Sequence, residues 1–158
     1  MPVQLSAMIY PFGATVVNGC LRVIPKSHRR RHKLHDVLPE AHSVEANSLE
    51  SSHVAFADQP DETSVEVGPS DVVFCDVRLL HATHANASNF ERPCLTLWYL
   101  PNFDSLPDGF KAHYTQHPCQ PSAAKRANLP PPVYHLVIPA VNITSAPVIQ
   151  LERSPVSL

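Results

Sequence analysis

Residues 71–99, DVVFCDVRLLHATHANASNFERPCLTLWY, decide how the fold is read. The opening segment, 71–76 (DVVFCD), is too apolar for an amphipathic helix and rich in β-branched side chains, which predicts a buried strand. The closing segment, 94–100 (CLTLWYL), is a second strand. It sets Leu95, Leu97 and Tyr99 on one side and Thr96, Trp98 and Leu100 on the other. Trp98 and Tyr99 are expected to pack in the core. Between the strands runs a loop holding His81, His84 and Asn86, and Arg92 leads into the second strand. A neutral imidazole at a strand end binds a metal, and a planar guanidinium grips a carboxylate bidentately. The pair is a workable metal-and-carboxylate site. Taken alone, one His and one Arg fit a hydrogen-bonded loop and a solvated edge better.

Working outward, residues 3–10 (VQLSAMIY) place Val3, Leu5, Ala7 and Ile9 on one face, the period-two pattern of a half-buried strand. Pro11, Phe12 and Gly13 break it. Residues 20–24 (CLRVI) form a short strand that Pro25 ends. From 26 to about 69 the chain is polar, His-rich and poor in periodicity, a long excursion with one short strand near 53–57. A further strand begins at 65–67, and Gly68-Pro69-Ser70 is a turn signal. Ser105, ahead of LPDGFKAHYTQ, is placed to cap one short helix. Beyond about Pro118 the composition shifts to Pro, Ala, Ser and Val, which predicts an extended or disordered tail. The class is mostly β, with five or six short strands, and a sandwich or jelly roll suits that pattern.

The 158 residues leave room for one domain, expected over 1–118, with the Pro-rich tail over 119–158. Apolar residues make up 44% and charged residues 16%, a globular rather than disordered composition. A net charge of −2 gives no electrostatic case for nucleic acid or a membrane surface. No run of about 18 apolar residues is present to span a bilayer. The first residues lack the basic region of a signal peptide, so a cytoplasmic location is expected. Cys20, Cys75, Cys94 and Cys119 form no C-x-x-C pair and are read as buried, reduced thiols.

Two ordered segments carry a family resemblance. Residues 18–25 (NGCLRVIP), followed by Ser27 and His28, resemble a segment of the phytanoyl-CoA dioxygenase family. Asp71, Val72, Val73 and Phe74, then His81, Asn86, Ser88 and Arg92, resemble that family's second half-site. There the distal iron-binding histidine precedes the arginine for 2-oxoglutarate by the spacing seen between His81 and Arg92. The likeness covers roughly residues 3–105. It implies a partial double-stranded β-helix, the cupin-like jelly roll of these oxygenases, with Fe(II) and 2-oxoglutarate as cofactor and cosubstrate. It implies His81 as a metal ligand, Arg92 as the 2-oxoglutarate clamp, Thr83 as a second contact to the same carboxylate, and a small organic substrate to be hydroxylated.

The sequence also departs from the family pattern. The family's facial triad needs a His-x-Asp/Glu pair besides the later His. None of the ten histidines here is followed two residues on by Asp or Glu. The expectation is that the chain begins after that pair, and that a non-catalytic binding or interaction module is the alternative to an active oxygenase. His28, His32 and His35, or His113 and His117, are conceivable substitute ligands, with solvated loop roles preferred for both clusters. Lys26 stands where the family has a glycine, which predicts strain at a turn wanting positive φ, and Ser70 stands in for another glycine. The basic run 26–33 (KSHRRRHK) is expected to be an exposed loop balanced by the acidic stretch 58–66.

Overall fold

The computed structural model describes residues 4–41, 43–116 and 120–134. The chain divides after Pro101 into two compact units. Among its described residues the first holds six strands in two antiparallel three-stranded sheets: β1 (Leu5–Ile9), β2 (Leu21–Val23), β3 (Thr63–Val65), β4 (Val72–Asp76), β5 (His81–Thr83) and β6 (Leu95–Tyr99). One sheet has the order β4-β1-β6, the other β3-β2-β5.

Strand alternation explains which side of each sheet is buried. In the first sheet Ser6 faces Cys75 and Trp98, and Met8 faces Val73 and Thr96. In the second, Leu21 lies between Val65 and Thr83, and Val23 between Thr63 and His81. Met8, Tyr10, Ala14, Cys20, Leu21 and Cys75 form one buried cluster, with Val23, Val65, Val73 and Cys94 packed against it. The inner rows of both sheets therefore share one core. The outer row of the first sheet is also apolar: Ala7 between Phe74 and Leu97, and Ile9 between Val72 and Leu95. Phe74 is 67% exposed and Leu95 55%.

Between β1 and β2 the chain turns through Gly13 at φ +75°, where a Cβ would lie 2.8 Å from the Val67 carbonyl oxygen. Only glycine permits that approach. The adjacent Ala14 exchanges both backbone hydrogen bonds with Val67. The excursion after β2 contains a 3-10 turn (Lys33–Asp36) and α1 (Val44–Asn47). It is tied down by Arg22, which projects from β2 on the side away from the core. Arg22 is 8% exposed and donates to Asp58 at 3.3 Å, to both Glu62 oxygens at 3.4 Å and to the Phe56 carbonyl at 3.2 Å.

Several expectations change. Residues 53–57 form turns rather than a strand, because Arg22 takes the Phe56 carbonyl and the Gln59 amide takes those of Val54 and Ala57. The strand expected to begin at 65–67 ends at Val65, and Val67 keeps only its bridge to Ala14. His81, read as part of a loop, lies in β5. Trp98 and Tyr99 are 47% and 48% exposed rather than core, because β6 is an edge strand. Asp58 and Glu62 serve Arg22 rather than the basic run, where Arg31 pairs with Asp36 and only His32 reaches the acidic stretch, at Asp61.

In the second unit α2 spans Asp108–Gln116, but Ser105 does not cap it. Its hydroxyl donates to the Asn102 carbonyl within a separate 3-10 turn, Phe103–Ser105. Within the tail expected to be extended, Ala123–Ala127 (α3) and Pro131–Tyr134 (α4) are short helices. Ser122 caps α3 by accepting from the Lys125 amide. Proline opens α4, where its missing N–H costs nothing. The expected boundary at 118/119, like Cys119 and residues 135–158, lies outside the described residues. No helix among the described residues is long and apolar enough to cross a membrane.

Lys26 and Ser70 both adopt left-handed backbone, at φ 68° and 70°. Lys26→Gly and Ser70→Gly should each raise stability by about 0.5–1 kcal/mol, because relief of αL strain exceeds the added entropy of the unfolded chain. Unchanged or lowered urea midpoints would show that neither turn is strained. Arg22→Met should cost on the order of 3 kcal/mol by leaving Glu62 unpaired. It should also speed proteolytic cleavage across residues 50–60, and an unaltered cleavage pattern would remove Arg22 as the anchor.

Candidate functional site

Three chain segments converge where β1 ends, β2 begins and the chain enters β6. Tyr10 follows β1 and is 1% exposed, its ring covered by the Arg92 guanidinium with Cζ 5.6 Å from the ring centroid. That distance is within the range of a cation–π contact. Gly19 lies alongside at φ +90°. A Cβ there would sit 2.9 Å from the His84 carbonyl oxygen and 3.5 Å from Arg92 Nε. The absent side chain lets the His84–Asn86 backbone pass close to β2, where the His84 amide donates to the Cys20 carbonyl and Ala87 to Val17. Asn86 then braces the loop by donating to the Phe90 carbonyl at 2.8 Å, which delivers Arg92 to the interior.

Arg92 Nε is buried and has no hydrogen-bond partner among the described residues. An unanswered guanidinium N–H in an apolar surround is costly and suits an anionic acceptor. Burial, reinforced by the nearby Cys94 thiol, pushes the Tyr10 phenol from 10.0 up to about 12, with Arg92 pulling the other way. Burial also raises the Cys20 thiol, and Glu66 adds to it.

His81 occupies the first position of β5, an edge strand, and its side chain is exposed. It stands opposite Val23, and Thr83 stands opposite Leu21, so both share the core-directed face of the sheet. His81 Nδ1 lies 2.7 Å from the Leu79 carbonyl. A carbonyl only accepts, so Nδ1 carries a proton, which leaves Nε2 as the ring nitrogen able to coordinate. Metal-bound imidazoles are oriented in this way. Thr83 lies two residues along the strand, toward the end that Gly19 and Arg92 occupy.

Of the other candidate histidines, His28 keeps a buried Nδ1 without a partner among the described residues. His32 Nδ1 accepts from the Leu34 amide and His35 Nδ1 from the His32 amide, a reciprocal cap of the Lys33–Asp36 turn. His113 lies in α2, and His117 is outside the described residues. Among the described residues no group of three or more His, Cys, Asp or Glu side chains is placed to hold a metal ion.

A family model described as phytanoyl-CoA dioxygenase matches residues 4–94, more than half of the chain. The chain belongs to the phytanoyl-CoA dioxygenase family. Among solved structures it is similar to apo HygX from Streptomyces hygroscopicus. That likeness has 20% identity and a TM-score of 0.48, and covers 65% of this chain and 38% of that one. No curated protein matches the chain significantly. The phytanoyl-CoA dioxygenase family is generally dependent on Fe(II) and 2-oxoglutarate, and the two groups fare differently here. The orphaned Arg92 Nε fits the carboxylate of 2-oxoglutarate. The described residues do not fit iron, because one oriented imidazole is not a three-ligand site.

Reasoning from sequence missed Tyr10, Gly19 and Cys94 as members of this site. Tyr10 was read only as the end of a strand, although an aromatic just before a Pro-Phe-Gly break is placed to roof a strand end.

The raised phenol sets a direction for alkaline stability. The folded state holds its Tyr10 proton more tightly than the unfolded chain, so this contribution is complete below pH 10 and is lost as pH rises toward about 12. Tyr10→Phe should flatten that decline in chemical-denaturation curves taken at stepped pH. Parallel curves for the two proteins would remove Tyr10 as the titrating group.

Proposed function

We propose that this chain supplies the carboxylate-binding side of an Fe(II)/2-oxoglutarate oxygenase site acting on a small organic substrate. Arg92 is the clamp for the far carboxylate of 2-oxoglutarate, Thr83 a second polar contact, and His81 one iron ligand. The buried, unpartnered Nε of Arg92 is the observation that carries this reading. A guanidinium held over the buried Tyr10 ring, with its Nε unanswered among the described residues, is preorganised for an anion. A purely interacting β-domain would have no use for that arrangement.

The two sheets are taken as the facing walls of a double-stranded β-helix. In that arrangement β5 carries His81 at an open edge of one wall, and a strand pairing there would deliver further ligands beside it. The chemistry iron supplies to this family is oxidation of a substrate C–H bond. The part assigned to the described residues is narrower: to grip 2-oxoglutarate, to hold His81 in one tautomer through the Leu79 carbonyl, and to keep water from the Tyr10 side of the site.

Metal-free titration with 2-oxoglutarate tests this directly. Amide resonances of Tyr10, Gly19 and Thr83 should shift saturably, and N-oxalylglycine should compete. Arg92→Leu should weaken binding roughly 10- to 100-fold, the worth of a charge-assisted hydrogen bond, and Arg92→Lys should retain part of it. If the unsubstituted chain shows no shift at these positions, or Arg92→Leu binds equally well, the assignment of Arg92 fails.

A further inference from the structure

Behind the second sheet lies a half-open cavity of about 220 Å³, which His81 also lines at one edge. Its floor is β2 and β5, where Arg22 lies opposite Ala82, and Val23 and His81 also reach its edge. The excursion after β2 supplies the roof through Leu34, Leu38, Leu49 and Phe56. An apolar cavity of about 150 Å³ already admits a benzene molecule, so this space suits a small organic body.

Two polar features say what kind. Arg22 and Glu62 line the wall, but they are consumed by each other: Arg22 donates to Glu62, Asp58 and the Phe56 carbonyl, and Glu62 also accepts from the Gln59 amide. They offer no free charge to a ligand. Gln59 is different. It is 6% exposed, and its Nε2 donates both hydrogens, to the Val54 carbonyl at 3.1 Å and the Ala57 carbonyl at 2.9 Å. Two carbonyl acceptors fix which end of the amide is nitrogen. Oε1 is therefore held as a buried acceptor with no donor to answer it among the described residues.

We propose that this cavity binds a small uncharged amphiphile, a hydrocarbon body with one hydroxyl or N–H that donates to Gln59 Oε1. The apolar walls take the body, the self-satisfied ion pair rejects charge, and the unanswered Gln59 acceptor orients the polar end. The cavity adjoins His81, but the proposal rests on Gln59 and the apolar walls, and its test needs neither iron nor 2-oxoglutarate.

The probes are n-hexanol and its isomer methyl pentyl ether, which has the same atoms but no donor. Each is titrated into the full chain and followed by amide chemical shifts. Hexanol should move the amides of Ala55, Gln59 and Ala82 saturably, and the ether should bind roughly five-fold more weakly, the net worth of one neutral hydrogen bond. Ala46→Phe, which fills the cavity, should abolish both responses while the rest of the spectrum stays dispersed. Absence of shifts with hexanol overturns the proposal, as does equal affinity for the two isomers. Hexanol binding that survives Ala46→Phe in a folded protein would place the site elsewhere. The isomer comparison uses the unsubstituted chain, so it stands even if Ala46→Phe does not fold.

Discussion

The core shared by β1 and β2 is the constraint from which the other features follow. Each is the middle strand of its sheet, hydrogen-bonded on both sides, and each turns one row of side chains toward the other. Met8 and Tyr10 from one side meet Cys20 and Leu21 from the other, with Cys75 closing the cluster. Burial is tightest here, and small residues allow it: the Ser6 hydroxyl lies 3.0 Å from the Cys75 sulfur. A larger residue at either position would push the sheets apart. Because the core fixes where β1 ends and β2 begins, it also fixes where Tyr10, Gly19 and Arg92 meet.

The loops are set by what the core leaves unsatisfied. Arg22 cannot point inward, so it emerges behind β2 and gathers the excursion through Glu62, Asp58 and a backbone carbonyl. One buried cation thereby organises a polar segment that has no periodicity of its own. At the far end of β4, Asp76 and Arg78 form a compact local pair, with the Arg78 side chain bidentate at 2.9 and 2.6 Å. Burial works to raise the Asp76 carboxyl, but the side-chain and backbone hydrogen bonds from Arg78 outweigh it and hold the acid below its usual value. The pair tightens the turn that leads to His81.

How much of this was legible in the sequence depended on whether local pattern or a distant partner decided the conformation. Strands β1, β2, β4 and β6 were readable because alternation and β-branching run long enough to be unambiguous. β5 was not: His-Ala-Thr is three polar or small residues without a period, and it is a strand only because β2 offers it an edge. Residues 53–57 misled in the opposite sense, since Val54 and Phe56 alternate but their carbonyls are claimed by Gln59 and Arg22. The strain at Lys26 was legible, because a lysine stands in a turn that wants glycine. His81 and Arg92 were singled out only by the family resemblance of their segment, since one His and one Arg alone fit a loop and a solvated edge better. Tyr10 and Gly19 were missed because their role comes from convergence in space, which no single segment displays. The exposure of Trp98 and Tyr99 was equally invisible, since whether an aromatic strand is covered depends on what lies beside it.

The pairing of β1 has a consequence for how the molecule is assembled. Its two partners are β4 and β6, so the earliest described strand is completed by the last one of its unit. During synthesis the segment around Ala7 must remain without either neighbour until β4 emerges after the excursion, and its sheet is closed only when Tyr99 has followed. Contacts of such long range make folding slow, and an unpaired apolar strand in the meantime is open to the wrong partner.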